Sequence, residues 1–165
     1  SGLNQLSRSD EIYEEPCEIH TIIENCLTII NDGLKNGIEV FKNFADGDVT
    51  VLGNVGQLHQ VFVNILVNAS QSIENEGSIY ISTEIEKENV CIKVTDTGCG
   101  ISKANLVKIT DPFFTTKEPG KGTGLGLSIT YNVIQAHKGN ISFQSELNKG
   151  TNVIIRLPIK VHNNG

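Results

Sequence analysis

The sequence lacks several features that would assign it to a membrane, nucleic-acid or repeat protein. No apolar run approaches the roughly 20 residues of a membrane-spanning helix, and neither internal repeats nor low-complexity tracts occur. Basic blocks and aromatic–basic interleaving are also absent, and the formal net charge is −6, which argues against a nucleic-acid partner. With 38% apolar and 19% charged residues, the 165 residues are expected to form one soluble globular domain.

The four cysteines carry no signature of a metal site. Cys17, Cys26, Cys91 and Cys99 form no Cys-x-x-Cys pair, and no histidine lies beside them at the spacing of a zinc site. The sequence therefore favours reduced thiols in a cytoplasmic protein, although spacing alone leaves disulfides open.

Three segments show the three-to-four periodicity of amphipathic helices. They run from Cys17 to Ile30, from Gly56 to Glu74 and from Gly124 to His137. The second is the strongest, because one continuous apolar stripe lies opposite a side of glutamines and asparagines. The first follows Pro16, which ends a polar N-terminal stretch.

About six strands are predicted around these helices, at 38–41, 49–52, 78–85, 90–94, 141–145 and 151–158. The last four alternate in polarity or flank turn residues, so they are expected to pair as two antiparallel hairpins. Three helices with mostly hairpin-paired strands predict an α/β two-layer sandwich with the helices on one face.

A glycine-rich segment (111–129) opens directly into the third helix. Bare backbone N–H groups at the positive end of a helix dipole form a site for an anion such as phosphate. The spacing fails the P-loop pattern, since Thr115 stands where that pattern needs glycine, and it fails the dinucleotide fingerprint as well. Glycine content alone does not separate an anion site from a flexible loop before an ordinary helix.

Two further groups of residues are candidates for ligand binding. Asn64 and Asn68 lie four residues apart on one helix face, where amide oxygens can coordinate Mg²⁺; alternatively they are only the polar side of an amphipathic helix. Asp96 ends a buried strand before Gly98 and Gly100. Its carboxylate can accept from an exocyclic amine of a base, or it simply begins a tight turn.

Four segments taken together resemble the N, G1, F and G2 boxes of the ATP-binding catalytic domain of bacterial sensor histidine kinases. They are NILVNA (64–69), DTGCGI (96–101), DPFFTTK (111–117) and GKGTGLGL (120–127). The resemblance covers about 17–158 and points to a nitrogen-regulator-like subtype. Because that family is shared with DNA gyrase, Hsp90 and MutL, it implies a Bergerat-type fold, with a mixed, mostly antiparallel sheet and three helices on one face.

The resemblance implies ATP and Mg²⁺ as ligands. Asn68, with Asn64 beside it, would bind Mg²⁺, and Asp96 would accept from the adenine amino group. The 102–121 segment would be a mobile lid with Phe113 and Phe114 at its hinge. The full set of implied nucleotide contacts is Asn64, Asn68, Gln71, Asp96, Gly98, Gly100, Ile101, Phe113, Thr115, Thr116, Lys117, Lys121, Gly122, Thr123, Gly124, Leu125, Gly126, Leu127 and Thr151.

Two positions depart from the family pattern. Gln71 stands where many histidine kinases have Lys or Arg, so a cationic phosphate contact would have to come from Lys117 or Lys121. Asn64 stands where the ATP-hydrolysing relatives have a glutamate that activates water. Since an amide takes no proton at neutral pH, rapid self-hydrolysis is not expected, and the γ-phosphoryl group would await a histidine nucleophile.

That histidine is not predicted within this chain. The family's acceptor is a His followed by Glu or Asp on an upstream hairpin, and none of the four histidines fits: His20, His59, His137 and His162. His59 is expected at the surface, and His137 at a helix end that favours a cation. We predict that 1–15 is the end of the upstream hairpin or a disordered end, 16–160 the catalytic domain, and 161–165 a disordered tail.

The predicted function is therefore delivery of the ATP γ-phosphoryl group to a histidine on an upstream domain absent from this chain. Expected partners are that hairpin and a response regulator, without nucleic-acid or membrane contact; the fragment would be monomeric and the full-length protein a homodimer. The location would be cytoplasmic, as a cytosolic protein or as part of a membrane-bound receptor. Two alternatives stay open: an anti-sigma-type serine kinase, and a nucleotide-binding module without catalysis.

Overall fold

The computed structural model describes residues 14–31, 34, 37–103 and 124–159. Three helices and seven strands have both ends within these ranges. In chain order they are β1 (Glu15–Glu18), α1 (Ile19–Asn31), β2 (Gly37–Asn43), β3 (Thr50–Gly53), α2 (Val55–Ser72), β4 (Glu76–Glu86), β5 (Asn89–Asp96), α3 (Gly124–Ala136), β6 (Asn140–Ser145) and β7 (Thr151–Pro158). The helices predicted from periodicity are confirmed to within two residues at each end.

Five strands form the main sheet, in the order β2-β4-β5-β7-β6. The β2–β4 pair is parallel and the other neighbours are antiparallel, so both predicted hairpins are confirmed. The central strand β5 ends at Asp96, which pairs with Ile79 on one side and Thr151 on the other. The register thus places two predicted site residues, Asp96 and Thr151, next to each other.

The small sheet of β1 and β3 was not predicted, because the sequence around Pro16 is polar and proline removes a ladder donor. In the structure Pro16 lies opposite Leu52 in an antiparallel two-stranded sheet, and Cys17 is buried beneath it. The first helix therefore begins two residues later than the predicted start at Cys17. The helix begins after Glu18, whose carboxylate accepts a hydrogen bond from the Thr21 backbone N–H at 2.9 Å and caps the first turn.

The apolar stripe of α2 forms the centre of the core. Asn54 caps this helix by accepting from the Gln57 N–H at 2.9 Å, and α2 then packs between α1 and α3 and against β5. Its buried residues are Leu58, Val61, Phe62, Ile65, Leu66 and Ala69. The two-layer α/β sandwich predicted from the sequence is confirmed. No helix in the described ranges is both long and apolar enough to cross a membrane.

Replacing Phe62 by alanine is expected to lower the free energy of unfolding by about 3–5 kcal/mol. Phe62 is 1% exposed, and the small side chain would leave a cavity between α2 and the sheet. Phe41→Ala is the matched control, since Phe41 is 45% exposed and stacks on Tyr80 at the surface. Urea unfolding measures both changes. If Phe41→Ala lowered the free energy of unfolding as much as Phe62→Ala does, this description of the core would be contradicted.

Candidate functional site

A cavity of about 330 Å³ opens between the C-terminal half of α2 and the ends of the central strands. This volume is within the range of small-molecule pockets in proteins. Its walls are mainly apolar, with polar groups at a few points. The lining residues are Ile65, Asn68, Ala69, Gln71, Ser72, Val94, Asp96, Cys99, Gly100, Ile101, Phe143, Thr151 and Val153.

The structure brings together six residues that the sequence assigned to a nucleotide site: Asn68, Gln71, Asp96, Gly100, Ile101 and Thr151. They come from α2, from β5 with its following loop, and from β7. Asn64 lies one helical turn before Asn68 and does not line the cavity, and Gly98 lies in the adjoining loop. Residues that the sequence analysis did not assign to the site also line it: Ile65, Ala69, Ser72, Val94, Cys99, Phe143 and Val153.

The apolar lining residues that were not predicted have the same periodicity in the sequence as residues of the hydrophobic core. Ile65 and Ala69 flank Asn68 on the face of α2 that points to the sheet, so spacing from Asn68 could have placed them in the site. Phe143 and Val153 are opposite each other on β6 and β7. That pairing depends on strand register, which sequence alone predicts poorly.

Most of the predicted lid (104–121) and part of the glycine box lie outside the described residues. This applies to the hinge at Phe113 and to the proposed phosphate contacts Thr115, Thr116, Lys117, Lys121, Gly122 and Thr123. The backbone from Gly124 to Leu127, which includes Leu125 and Gly126, forms the first turn of α3. The helix therefore begins within the glycine box, as the sequence predicted.

Asp96 is the buried polar group of the cavity. Its side chain is 6% exposed, and Oδ1 accepts hydrogen bonds from the Gly98 backbone N–H at 2.8 Å and from Ser72 Oγ at 3.1 Å. Burial raises the pKa of this carboxyl, and the hydrogen bonds from Gly98, Ser72 and the Thr151 backbone act in the opposite direction. The residue offers a strong hydrogen-bond acceptor at the end of an otherwise apolar pocket.

Gly98 and Gly100 are required by packing of the loop itself. A Cβ at Gly98 would collide with the side chain and carbonyl of Ser72. A Cβ at Gly100, which has φ +74°, would collide with the carbonyl of Glu146. The loop is also tied on both sides, since Cys99 N donates to the Ser72 carbonyl at 2.9 Å and Asn148 N donates to the Cys99 carbonyl at 2.6 Å. The predicted close approach of these glycines to a nucleotide stays a prediction.

Asn68 fits a role as a ligand of Mg²⁺. It is half-buried on the cavity wall, and an amide oxygen is a hard donor of the type that Mg²⁺ accepts beside phosphate oxygens. Within the described ranges, no three His, Cys, Asp or Glu side chains lie close enough together to hold a metal ion. Asn68 could supply one amide oxygen to a metal bound at this wall.

All four cysteines are free thiols, as the sequence favoured, and only Cys99 is exposed. Burial raises the pKa of the Cys26 thiol to about 11. His59 was predicted at the surface, which is wrong. It is half-buried, and its Nδ1 lies 3.6 Å from Cys26 Sγ, because α2 packs this side against α1.

His137 follows the end of α3, as predicted, but the expectation that it is a cation there is wrong. Its side chain is 6% exposed. Nδ1 donates to the Val133 carbonyl at 2.8 Å, and Nε2 accepts from the Asn54 N–H at 3.0 Å, so the ring is a neutral tautomer. Burial lowers the pKa of this imidazole. His137 therefore joins the end of α3 to the N-terminus of α2.

This arrangement predicts a pH-dependent stability. Because the folded state lowers the pKa of His137 below its ordinary value of 6.5, protons bind the unfolded chain more readily as the pH falls below 6.5, and stability is lost. Protonated Nε2 would also face the Asn54 N–H donor. In His137→Gln this component of the pH dependence should disappear, whatever the variant's stability at neutral pH.

Urea unfolding of wild type and His137→Gln, between about pH 7.5 and about pH 5.5, measures this difference. Titrations of the other groups are common to both proteins and cancel when the two curves are subtracted. Parallel curves over this interval would contradict the role given to His137.

Comparison with known proteins agrees with this geometry. Residues 53–161 match the family described as histidine kinase-, DNA gyrase B-, and HSP90-like ATPase. The chain is 31% identical over 157 residues to sporulation kinase E of Bacillus subtilis, covering 94% of this chain and 21% of that protein. It is 31% identical over 163 residues to the sensor histidine kinase ZraS of Escherichia coli K12, covering 98% of this chain and 34% of that protein.

A solved structure shows the same fold. The nucleotide-free catalytic domain of histidine kinase ThkA superposes with a TM-score of 0.78 at 28% identity, covering 87% of this chain and 94% of that one. The chain spans about a fifth to a third of the length of the curated relatives named above. The nitrogen-regulator-like subtype stays a prediction. The chain belongs to the histidine kinase-, DNA gyrase B-, and HSP90-like ATPase family, as an ATP-binding catalytic domain of the sensor histidine kinase type.

Proposed function

We propose that the 330 Å³ cavity binds the adenine base of ATP and that the domain transfers the γ-phosphoryl group to a histidine on an upstream phosphoacceptor hairpin. The observation that carries this proposal is the buried carboxylate of Asp96 at the end of an apolar pocket. A flat base suits apolar walls such as Val94 and Phe143. Because burial limits the access of water to Asp96, the exocyclic amine of the base would donate a hydrogen bond to its carboxylate in place of water. Thr151, beside Asp96 on β7, would support the base through water.

The phosphates would lie toward the N-terminus of α3. This helix begins at Gly124, and the backbone N–H groups of a first helical turn, together with the helix dipole, favour an anion. Asn68, with Asn64 one turn away, would hold Mg²⁺. Mg²⁺ would supply the positive charge that neutralises the phosphate oxygens during transfer.

The residues at this site favour transfer to another group over hydrolysis. Asn64 on α2 stands where the ATP-hydrolysing relatives have a glutamate that acts as general base. The asparagine amide does not accept a proton from water at neutral pH. The protein's contribution would then be binding, orientation and exclusion of water around the base. The acceptor histidine, the response regulator, the cytoplasmic location and the boundaries at 16 and 160 all belong to this proposal.

Isothermal titration of the domain with a non-hydrolysable ATP analogue and Mg²⁺ tests the first half of the proposal. Absence of binding at millimolar nucleotide would refute it. The second half is tested by adding ATP to the domain together with the helical hairpin of its own full-length protein. Acid-labile phosphohistidine on the hairpin supports kinase function, whereas phosphoserine would indicate the anti-sigma-type alternative and binding without transfer a non-catalytic module.

A further inference from the structure

We propose that Ser72 is a positioning residue for base recognition, holding the Asp96 carboxylate so that it accepts one N–H from a 6-aminopurine. This inference rests on the proposed ATP-binding function and deepens it. Ser72 is the last residue of α2 and lines the cavity beside Asp96. Neither the motifs in the sequence nor the nucleotide contacts implied by the resemblance included it.

The hydroxyl of Ser72 lies between two acceptors. Its Oγ is 2.8 Å from the Ala69 carbonyl and 3.1 Å from Asp96 Oδ1. A hydroxyl has one proton, and a hydrogen bond to an ionised oxygen is stronger than one to a neutral carbonyl. When Asp96 is ionised, the Ser72 proton is therefore drawn to the carboxylate.

Other donors complete the hold on this carboxylate. The Gly98 N–H donates to the same Oδ1 at 2.8 Å, and the Thr151 backbone also hydrogen-bonds to Asp96. A carboxylate has about four lone-pair directions, of which these described residues use three. Rotation of the carboxylate about its Cβ–Cγ bond is thereby restrained, and about one acceptor direction is available to a ligand N–H.

Ser72 also fixes the loop that carries Gly98. Its carbonyl accepts from Cys99 N at 2.9 Å, and its side chain occupies the space that a Cβ on Gly98 would need. The C-terminus of α2 thus holds both the carboxylate and one of its donors. Since Asn68 lies one turn earlier on the same helix, α2 connects the base end of the site with the proposed metal end.

The chain contains a matched control for this role. Ser70 lies in the same last turn of α2, and its Oγ donates to the Val67 carbonyl at 2.9 Å, just as Ser72 Oγ approaches the Ala69 carbonyl. Ser70 does not line the cavity. Ser70→Ala therefore removes a hydroxyl that contacts only a backbone carbonyl, whereas Ser72→Ala removes a hydroxyl that contacts both a backbone carbonyl and Asp96.

The test compares two ligands that differ by a single donor. ATP and purine riboside 5′-triphosphate, which lacks the 6-amino group, are titrated with Mg²⁺ into wild type, Ser72→Ala and Ser70→Ala. We expect Ser72→Ala to weaken ATP binding about fivefold to tenfold and to weaken purine nucleotide binding less than about twofold. Ser70→Ala should change neither affinity by more than about twofold.

Each other outcome has a distinct meaning. Equal loss for both ligands in Ser72→Ala would overturn the inference, since a structural defect does not distinguish the amino group; unchanged ATP binding would overturn it too. Ser72→Cys keeps the size but is a weaker donor, so it should lose an intermediate amount even if the alanine variant folds poorly. Failure of the wild type to bind either nucleotide would refute the proposed function itself.

Discussion

Asp96→Asn is expected to weaken binding of ATP about 100-fold. The Gly98 N–H is a fixed donor at 2.8 Å from Oδ1, so it selects the amide oxygen of the new asparagine for that position. The amide NH₂ must then occupy the place of the other carboxylate oxygen. Because this NH₂ group would face the N–H donor of the adenine amino group, the preference for adenine over guanine nucleotides should fall.

The stability of the same variant provides an independent measurement. Burial raises the pKa of Asp96, so the folded state binds its proton more tightly than the unfolded chain does. The stabilising contribution of this group is therefore present at low pH and is lost as the pH rises through the folded-state pKa. Asparagine is neutral at every pH, so this component of the pH dependence of stability should be absent from the variant.

Titration calorimetry and urea unfolding together test this prediction. Asp46→Asn is the control, because Asp46 is exposed in the turn between β2 and β3, and it should leave both quantities unchanged. We expect Asp96→Asn to lose ATP binding together with the pH-dependent component of stability that Asp96 contributes. An Asp96→Asn protein that binds ATP as tightly as wild type would contradict the assignment of the base site.

Asn68→Ala is expected to remove most of the Mg²⁺-dependent part of nucleotide affinity. Asn68 lines the cavity from α2, and its loss would leave a bound Mg²⁺ with one protein ligand fewer. The affinity for ATP in Mg²⁺ should fall at least about tenfold, toward the value measured in EDTA. The affinity in EDTA should change much less.

Asn64→Ala is the comparison within the same helix. Asn64 lies one turn from Asn68 but outside the cavity lining, so its substitution should have the smaller effect. Titrations with ATP, in Mg²⁺ and in EDTA, measure the affinities of wild type, Asn68→Ala and Asn64→Ala. If Asn68→Ala lowered affinity equally in Mg²⁺ and in EDTA, the residue would contact nucleotide or support the pocket and would not be a metal ligand.

Local patterns predicted most of the secondary structure because periodicity reports which face of an element is buried. The stripe on α2 and the alternation in β4 and β5 are examples, and both were confirmed. The strand β1 was missed because its pairing with β3 depends on a partner more than 30 residues away. No local pattern around Pro16 indicates that partner.

The sequence also predicted polar residues of the candidate site, since the family resemblance placed Asn68, Asp96, Gly100 and Thr151 in one functional set. The structure brings these four residues together around one cavity. The apolar walls were not recognised, because a residue that lines a pocket has the same periodicity as one that fills a core. Strand register decides whether such a residue lines the pocket or fills the core.

The sequence by itself determined the family and the order of the three helices and six predicted strands, because these depend on residue types at short spacings. It also predicted the main polar residues of the site. Tertiary structure alone decided protonation and orientation. His137 is neutral because the N-terminus of α2 covers it, and Asp96 is held by Ser72 because α2 ends beside β5. Burial and long-range hydrogen bonds control both properties, and neither can be obtained from local sequence.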